Sequence, residues 1–308
     1  MKTFKLGLVH TPVTPFKPDL KIDFGLFESV IAFHLNNGAE ALAVQMHAGE
    51  SVSLSDAEQR QLLDFTIRQV KGRVPVIAHT SDAGTRIAAD RARYAQDAGA
   101  AGIVATTPYY WTPPPDMIVE HLATIASAVS LPFFVFHTPD ELAATKLSTD
   151  VVLKLIARCP NFTGLVDSSH QWQFMIDTVS AAWRVRPDFQ LVSGTEYMVS
   201  AGAIGATGMF SSLSAVAPKL VRYLYDICRT EKYFDARKPQ EQIAAVRQAI
   251  KKAGGAGGAG ALKAAMRGMG RDCGQPRPPL DALDAQKSGK LAAELNALSF
   301  LRDEPRGW

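Results

Sequence analysis

Cysteine is scarce in this chain, and its scarcity narrows the class of protein. The 308 residues contain three cysteines, Cys159, Cys228 and Cys273, which lie far apart, are odd in number and match no metal-ligand spacing. This spacing argues against a disulfide framework and against a cysteine-bound metal. Isolated thiols of this kind are typical of a reducing compartment.

An excess of charge of one sign and a long apolar run are also missing. The 33 basic and 30 acidic residues give a net charge of +3, and because they are spread along the chain they form no basic patch for nucleic acid. No apolar run approaches a membrane span, and residues 1–16 lack the apolar core of a signal peptide. We therefore expect a cytoplasmic protein whose partners are small molecules and copies of itself, not nucleic acid or membranes.

What the chain does contain is a weak internal repeat. Each copy has a glycine behind an amphipathic helix, as a helix C-cap would, followed by the start of an apolar strand. The copies are Asn37–Val44, Ala98–Ala105 and Ala201–Gly208. A unit of helix, glycine and strand that recurs along a chain indicates parallel strands joined by helices.

Eight apolar runs predict eight strands, separated by helical patterns. The predicted strands are Leu6–His10, Ala41–Met46, Val74–His79, Gly102–Thr106, Phe133–His137, Thr163–Asp167, Phe189–Ser193 and Thr207–Ser211. The predicted helices between them are Phe24–Asn36, Asp56–Val70, Thr85–Ala98, Asp116–Val129, Ser148–Ala157, Trp172–Ala182 and Met198–Ala201. This alternation favours a closed barrel. The alternative, an open doubly wound sheet, usually shows a glycine fingerprint after its first strand, where this chain has Thr11-Pro12-Val13-Thr14-Pro15.

Beyond Ser211 the pattern becomes helical. The predicted helices there are Leu220–Thr230, Pro239–Lys252, Ala259–Met269 and Leu291–Leu301. We therefore predict an α/β fold, a (β/α)8 TIM barrel at residues 1–215, with a C-terminal helical region at residues 216–308 packed on it. In a barrel of this kind, the site forms where the strand ends meet the loops that follow them.

Motifs at these strand ends resemble those of the dihydrodipicolinate synthase and N-acetylneuraminate lyase family. They are Thr14-Pro15-Phe16, Gly49-Glu50-Ser51, Thr107-Pro108-Tyr109-Tyr110, Gly164 with Asp167-Ser168-Ser169, Ser193-Gly194 and Arg277-Pro278-Pro279-Leu280. They follow the family order over nearly the whole chain. The resemblance implies a homodimer or homotetramer and a class I lyase, in which a lysine at the end of the sixth strand forms a Schiff base with pyruvate or another 2-oxo acid.

The residues at the family's catalytic positions differ in this chain. The resemblance places Val166 at the lysine position, and a branched hydrocarbon cannot form an imine. Phe136 stands where the family has its proton-relaying tyrosine, and Glu141 stands where it has the arginine that binds the substrate carboxylate. The family's threonine loop reads Met46-His47-Ala48-Gly49-Glu50 here, while Tyr110, which family members lend across a dimer interface, is in place.

One function that stays open is a lyase, of aldolase or hydro-lyase type, that acts on a small oxo or hydroxy acid without a Schiff base. Its predicted catalytic residues are His47, His79, Tyr110 and Asp167. Its predicted substrate-binding residues are Ala48, Gly49, Glu50, Phe136, Glu141, Val166, Ser193 and Phe210. Strand alternation turns His137 aside, because Phe136 takes the inward position of the fifth strand. No cofactor is expected, and a divalent metal held by His47 and His79 is the weaker alternative.

The other function that stays open is that of a catalytically inactive paralogue, which keeps the scaffold and binds a small ligand or serves a regulatory role. Joint loss of the nucleophile, the proton relay and the carboxylate clamp is what relaxed catalytic demand would produce. We favour the enzyme because His47 and His79 are new ionisable groups at neighbouring strand ends. Such groups cost free energy in an apolar lumen when they are unpaired.

Overall fold

Strands and helices alternate along the chain. A computed structural model describes residues 4–138, 145–254 and 258–308, and in it eight strands form a closed barrel in chain order. The strands are β1 (Leu8–His10), β2 (Ala41–Val44), β3 (Val76–His79), β4 (Gly102–Thr106), β5 (Phe133–His137), β6 (Phe162–Asp167), β7 (Gln190–Ser193) and β8 (Gly208–Ser211). The predicted (β/α)8 TIM barrel is thus confirmed.

Helices separate consecutive strands, and further helices follow β8. Those between strands are α1 (Phe24–Asn36), α2 (Asp56–Val70), α3 (Thr85–Ala98), α4 (Pro115–Ser127), α5 (Thr149–Arg158), α6 (Trp172–Val185) and α7 (Met198–Ile204). Those after β8 are α8 (Pro218–Arg229), α9 (Arg237–Ala253), α10 (Ala259–Gly268) and α11 (Ala285–Ala297). In the described part of the chain, no helix combines the length and the apolarity needed to cross a membrane.

The helices α1, α2 and α3 begin and end at the predicted residues. The start of α2 was predictable from the sequence because of its capping residues. The Ser55 hydroxyl accepts the backbone N–H of Glu58, and the Glu58 carboxylate accepts the backbone N–H of Ser55. This reciprocal pair is a capping box, which satisfies N–H groups that the first turn of a helix leaves unpaired.

The final helix departs most from its predicted bounds. The apolar pattern predicts a helix at Leu291–Leu301, whereas α11 covers Ala285–Ala297 and a separate 3-10 turn covers Ser299–Leu301. The cause is the Asp284 side chain, which accepts the backbone N–H of Lys287 at 2.7 Å and caps the helix. It starts α11 in a polar stretch that apolar periodicity does not mark.

The glycines of the internal repeat end helices. Gly99 caps α3 with φ 94° and Gly205 caps α7 with φ 113°, while Gly38 follows α1 with φ 87°. These left-handed angles are ones that side chains rarely permit, so glycine lets the chain leave each helix and enter the next strand. The predicted succession of helix, glycine and strand is therefore confirmed in all three copies of the repeat.

The chain forms two compact units, and candidate site residues occur in each. The first unit contains residues 1–7 and 75–210, and the second contains residues 8–74 and 211–308. The first unit therefore holds β3 to β7, and the second joins β1 and β2 to the helices α8 to α11. The predicted boundary between residues 215 and 216 stays a prediction.

Candidate active site

Register in the first unit decides which side chains of β5 and β6 face outward. His137 of β5 pairs with Asp167 of β6 along the sheet. The His137 ring packs edge-on against Phe174 of α6, with ring centroids 4.7 Å apart. His137 and Asp167 therefore point towards the surrounding helices, as strand alternation predicts for His137.

The residues one position earlier face the barrel interior. Phe136 of β5 is in register with Thr106 of β4 on one side and with Val166 of β6 on the other, and Val166 pairs in turn with Val192 of β7. All four are buried, and Val166 has an exposed fraction of 0%. This part of the interior face is consequently lined by hydrocarbon, with the Thr106 hydroxyl as its polar group.

Asp167 is fully engaged on the outward face. One of its oxygens accepts His137 Nδ1–H at 2.7 Å, and the other accepts the backbone N–H and the hydroxyl of Ser169 at 3.0 and 2.9 Å. The other ring nitrogen of His137, Nε2, accepts the backbone N–H of Leu147 at 3.4 Å, which fixes the proton on Nδ1. Asp167 thus holds the turn between β6 and α6 and joins it to β5.

His79 lies on the interior face. It is in register with Val104 of β4, and Val104 is in register with Phe134 of β5. Phe134 stands two residues before Phe136 and therefore points to the same side of the sheet. His79 is half-buried. Of the predicted catalytic residues in the first unit, His79 is the one that the strand register directs inward.

A serine that sequence reasoning missed contacts His79. The Oγ atom of Ser81 lies 2.7 Å from Nε2 of His79 and accepts the backbone N–H of Thr106 at 2.8 Å. The available signal was the spacing of two between His79 and Ser81, because residues two apart on an extended chain point to the same side. The serine joins the end of β3 to the end of β4.

The loop that carries Ser81 is fastened to α3. The Arg91 guanidinium donates to the Ser81 carbonyl oxygen at 2.5 Å and pairs with the Asp82 carboxylate at 3.0 Å. Asp82 also accepts the backbone N–H of Gly84 at 2.8 Å. Tyr109 lies close to the same pair, and burial together with Asp82 raises the pKa of its hydroxyl above the ordinary value.

In the second unit, the turn after β2 carries His47. A 3-10 helix covers His47–Gly49, and the His47 side chain is exposed. The N–H groups of Gly49 and Glu50 donate to the carbonyl oxygens of Met46 and His47 at 2.9 and 3.1 Å. These two amides are therefore used inside the turn, so a carboxylate that binds there would need other donors.

The Glu50 side chain points to the C-terminal helices. Its carboxylate lies 2.6 Å from Lys263 Nζ of α10 and accepts the backbone N–H of Arg277 at 2.8 Å. The side chains of Glu50 and Lys263 are 0% and 1% exposed, and burial lowers the pKa of the Lys263 ammonium although Glu50 opposes that shift. The centroid of the Phe16 ring lies 4.4 Å from Lys263 Nζ and 4.4 Å from Cζ of the Arg277 guanidinium. Sequence reasoning missed this buried pair.

The remaining predicted residues are placed separately. Tyr110, which has φ 76°, is 83% exposed and packs edge-on against Trp111 with ring centroids 5.2 Å apart. Ser193 is in register with Asp167 and therefore faces outward, and its hydroxyl donates to the Thr195 carbonyl oxygen at 2.7 Å. Ala48 and Phe210 are buried, and Glu141 lies outside the described residues. The homodimer or homotetramer stays a prediction.

No group of three or more His, Cys, Asp and Glu side chains suited to a metal ion occurs among the described residues. The expectations about cofactors, including a metal on His47 and His79, stay predictions.

The fold and these strand ends define a TIM-barrel protein with an imidazole on a largely apolar interior face. The sequence pattern of the dihydrodipicolinate synthetase family matches residues 5–298. The chain therefore belongs to this family, as its motifs predict.

Similar proteins include synthases and lyases. A 4-hydroxy-tetrahydrodipicolinate synthase of Methanopyrus kandleri is 30% identical over 299 residues, which cover 96% of this chain and 97% of that protein. An uncharacterised DapA-like lyase of Halobacterium salinarum is 29% identical over 296 residues, which cover 96% and 94%. The crystal structure of a dihydrodipicolinate synthase from Cyanidioschyzon merolae with lysine bound has a TM-score of 0.87 at 26% identity and covers 95% of this chain and 98% of that one. The chain thus carries the scaffold of a lyase family.

Proposed function

We propose that this protein is a lyase that acts on a small oxo or hydroxy acid without forming a Schiff base. Membership of the family supports the class of reaction. One observation carries the rest: Val166 lies on the interior face of β6, fully buried and in register with Phe136. The valine side chain bears no amine, so it cannot attack a carbonyl substrate as a nucleophile.

Without an iminium, the site needs another way to stabilise the negative charge that develops on the substrate. A hydrogen-bond donor at the substrate's carbonyl oxygen and a group that moves the proton can together supply it. An imidazole can donate a hydrogen bond and can carry a proton near neutral pH. His79 lies on the interior face and is the acid–base group of this proposal. The carboxylates of Asp167 and Glu50 instead bind other side chains of the protein, His137 and Lys263 respectively.

Incubation with pyruvate and borohydride should leave the mass of the protein unchanged. Borohydride reduces an imine to a stable amine, so a Schiff-base lysine would be trapped as a covalent adduct. Intact-mass spectrometry reads the result, and a family member that retains the lysine, treated in parallel, shows that trapping works. A stoichiometric adduct on this protein would refute the mechanism, and peptide mapping would then identify the lysine.

Turnover should depend on His79. In a panel of small 2-oxo and hydroxy acids followed by NMR, we expect at least one acid to be converted and His79→Asn to slow that conversion by about 10²–10⁴-fold, the usual contribution of a general acid–base group. His170→Asn is the matched control, because His170 is exposed and bonds to Thr195. Equal rates for the two variants would remove His79 from the mechanism.

A second candidate function is that of an inactive family member that binds a small ligand. The observation in its favour is the neighbouring pair Phe136 and Val166, which are both apolar and buried on the interior face. On this alternative, no acid of the panel is converted, while a bound acid still raises the melting temperature. Any enzyme-dependent product decides for the lyase.

A further inference from the structure

The hydroxyl of Ser81 lies between a backbone N–H group and a histidine ring nitrogen. Ser81 is 3% exposed, and in the described part of the chain the partners of its Oγ are the backbone N–H of Thr106 at 2.8 Å and Nε2 of His79 at 2.7 Å. A hydroxyl has one hydrogen to donate and two lone pairs to accept with. The Thr106 N–H can only donate, so it occupies a lone pair of Oγ.

The hydroxyl hydrogen then needs an acceptor, and this need sets the proton on His79. If Nε2 of His79 carried the proton, two N–H groups would converge on Oγ and the buried hydroxyl hydrogen would have no acceptor. Leaving a buried donor unpaired is unfavourable, because the donor has lost its hydrogen bonds to water. If Nε2 is unprotonated instead, the hydroxyl donates to it and every group is paired. The hydrogen-bond pattern therefore favours a neutral ring with its hydrogen on Nδ1.

We propose that Ser81 is a positioning residue that holds His79 in the Nδ1–H tautomer. In this tautomer Nε2 accepts the Ser81 hydroxyl and the ring hydrogen is on Nδ1. This inference rests on the proposed function and refines it.

The position of Ser81 is itself well supported. Its hydroxyl is bound to the end of β4 through Thr106, and its carbonyl oxygen accepts a hydrogen bond from Arg91 of α3. Arg91 also pairs with Asp82, the next residue of the loop. Two separate elements thus fix the serine, and the serine in turn fixes the ring nitrogen to which it donates.

Nitrogen-15 NMR of the histidine rings tests the tautomer directly. Spectra of the ¹⁵N-histidine-labelled protein are recorded at a pH above the imidazole titration, and the His79 signals are assigned by their loss in His79→Asn. We expect Nε2 of His79 to resonate as an unprotonated ring nitrogen and Nδ1 as a protonated one. In Ser81→Ala, we expect these two signals to move towards the mixture of tautomers found for a free imidazole.

Two further variants separate positioning from a general loosening of the loop. Ser81→Thr keeps the hydroxyl and should retain the wild-type signals of His79. Arg91→Lys weakens the support of the loop and keeps the hydroxyl, so it should lower the melting temperature without changing the tautomer. An Nε2–H tautomer in the wild-type protein, or unchanged His79 signals in Ser81→Ala, would overturn the inference.

The outcome is independent of the test of the proposed function. A borohydride adduct would refute the mechanism without Schiff base and leave the tautomer as measured. Conversely, a different tautomer would remove the role of Ser81 while the absence of an adduct still supports the proposed class of reaction.

Discussion

Replacing Lys263 by methionine should lower the free energy of unfolding by about 3–5 kcal/mol, the usual cost of removing one partner of a buried ion pair. Lys263 Nζ lies 2.6 Å from the Glu50 carboxylate, and both side chains are inaccessible to solvent. Methionine keeps most of the apolar stem and removes the charge. The Glu50 carboxylate would then be buried with the Arg277 N–H as its remaining strong donor.

Urea denaturation followed by circular dichroism measures this change. Lys154→Met is the matched control, because Lys154 pairs with Asp116 and Asp150 at exposed positions and such pairs contribute about 0–1 kcal/mol. The double variant Lys263→Met with Glu50→Gln should recover much of the loss, since no unpaired charge is then buried. A loss for Lys263→Met no larger than that of the control would contradict the prediction.

Acid should destabilise the protein through a pair of buried histidines, His10 of β1 and His34 of α1. Their Nδ1 atoms lie 3.1 Å apart, and in the part of the chain that the structure describes their Nε2 atoms are buried without a hydrogen-bond partner. Burial, followed by the proximity of Arg271, lowers the pKa of His34 to about 3. Burial, followed by His34 and Arg222, lowers the pKa of His10 well below its ordinary value.

The direction of the pH effect follows from these shifts. The unfolded chain protonates its histidines near the ordinary pKa of about 6.5, whereas the folded chain keeps His34 neutral to much lower pH. The stability that the neutral pair contributes is complete above the unfolded pKa of about 6.5. It is lost as the pH falls from there towards about 3, the pKa of His34 in the folded chain. At about pH 4.5, His34 alone should lower the free energy of unfolding by about 2–3 kcal/mol relative to neutral pH.

Denaturation curves between about pH 7 and about pH 4.5 test the effect. His34→Gln removes one titrating group, so its stability should fall less steeply with acid than that of the wild type. His170→Gln changes an exposed histidine and should keep the wild-type slope. Because the carboxylates titrate alike in all three proteins, they cancel in the comparison. Parallel slopes for wild type and His34→Gln would count against the role of the pair.

The sequence specified the barrel because its architecture repeats locally. Apolar runs mark the strands, and alternation separates inward from outward side chains, so the outward orientation of His137 beside Phe136 was predictable. Capping residues gave the start of α2. Helix α11 was placed too late because its start depends on the single carboxylate of Asp284 rather than on a periodic pattern.

The partners of individual polar groups were not predictable in the same way. Glu50 was expected to bind substrate, yet its backbone is left-handed at φ 57° and its carboxylate meets Lys263, which is remote in the chain. The pairing of His10 with His34 likewise depends on how a helix lies on its strand. Contacts between distant residues leave no spacing in the sequence, so a buried lysine in an apolar helix reads as an ordinary surface residue.

The outward and inward side chains of β6 make separate sets of contacts. The outward side is secured by the bonds of Asp167 to His137 and Ser169, none of which involves the inward side chain at Val166. The inward side chain can therefore be exchanged while the bonds that keep the strand in place stay intact. This division gives protein engineers an inward position at which a new side chain can be introduced without disturbing the bonds that hold β6 in the sheet.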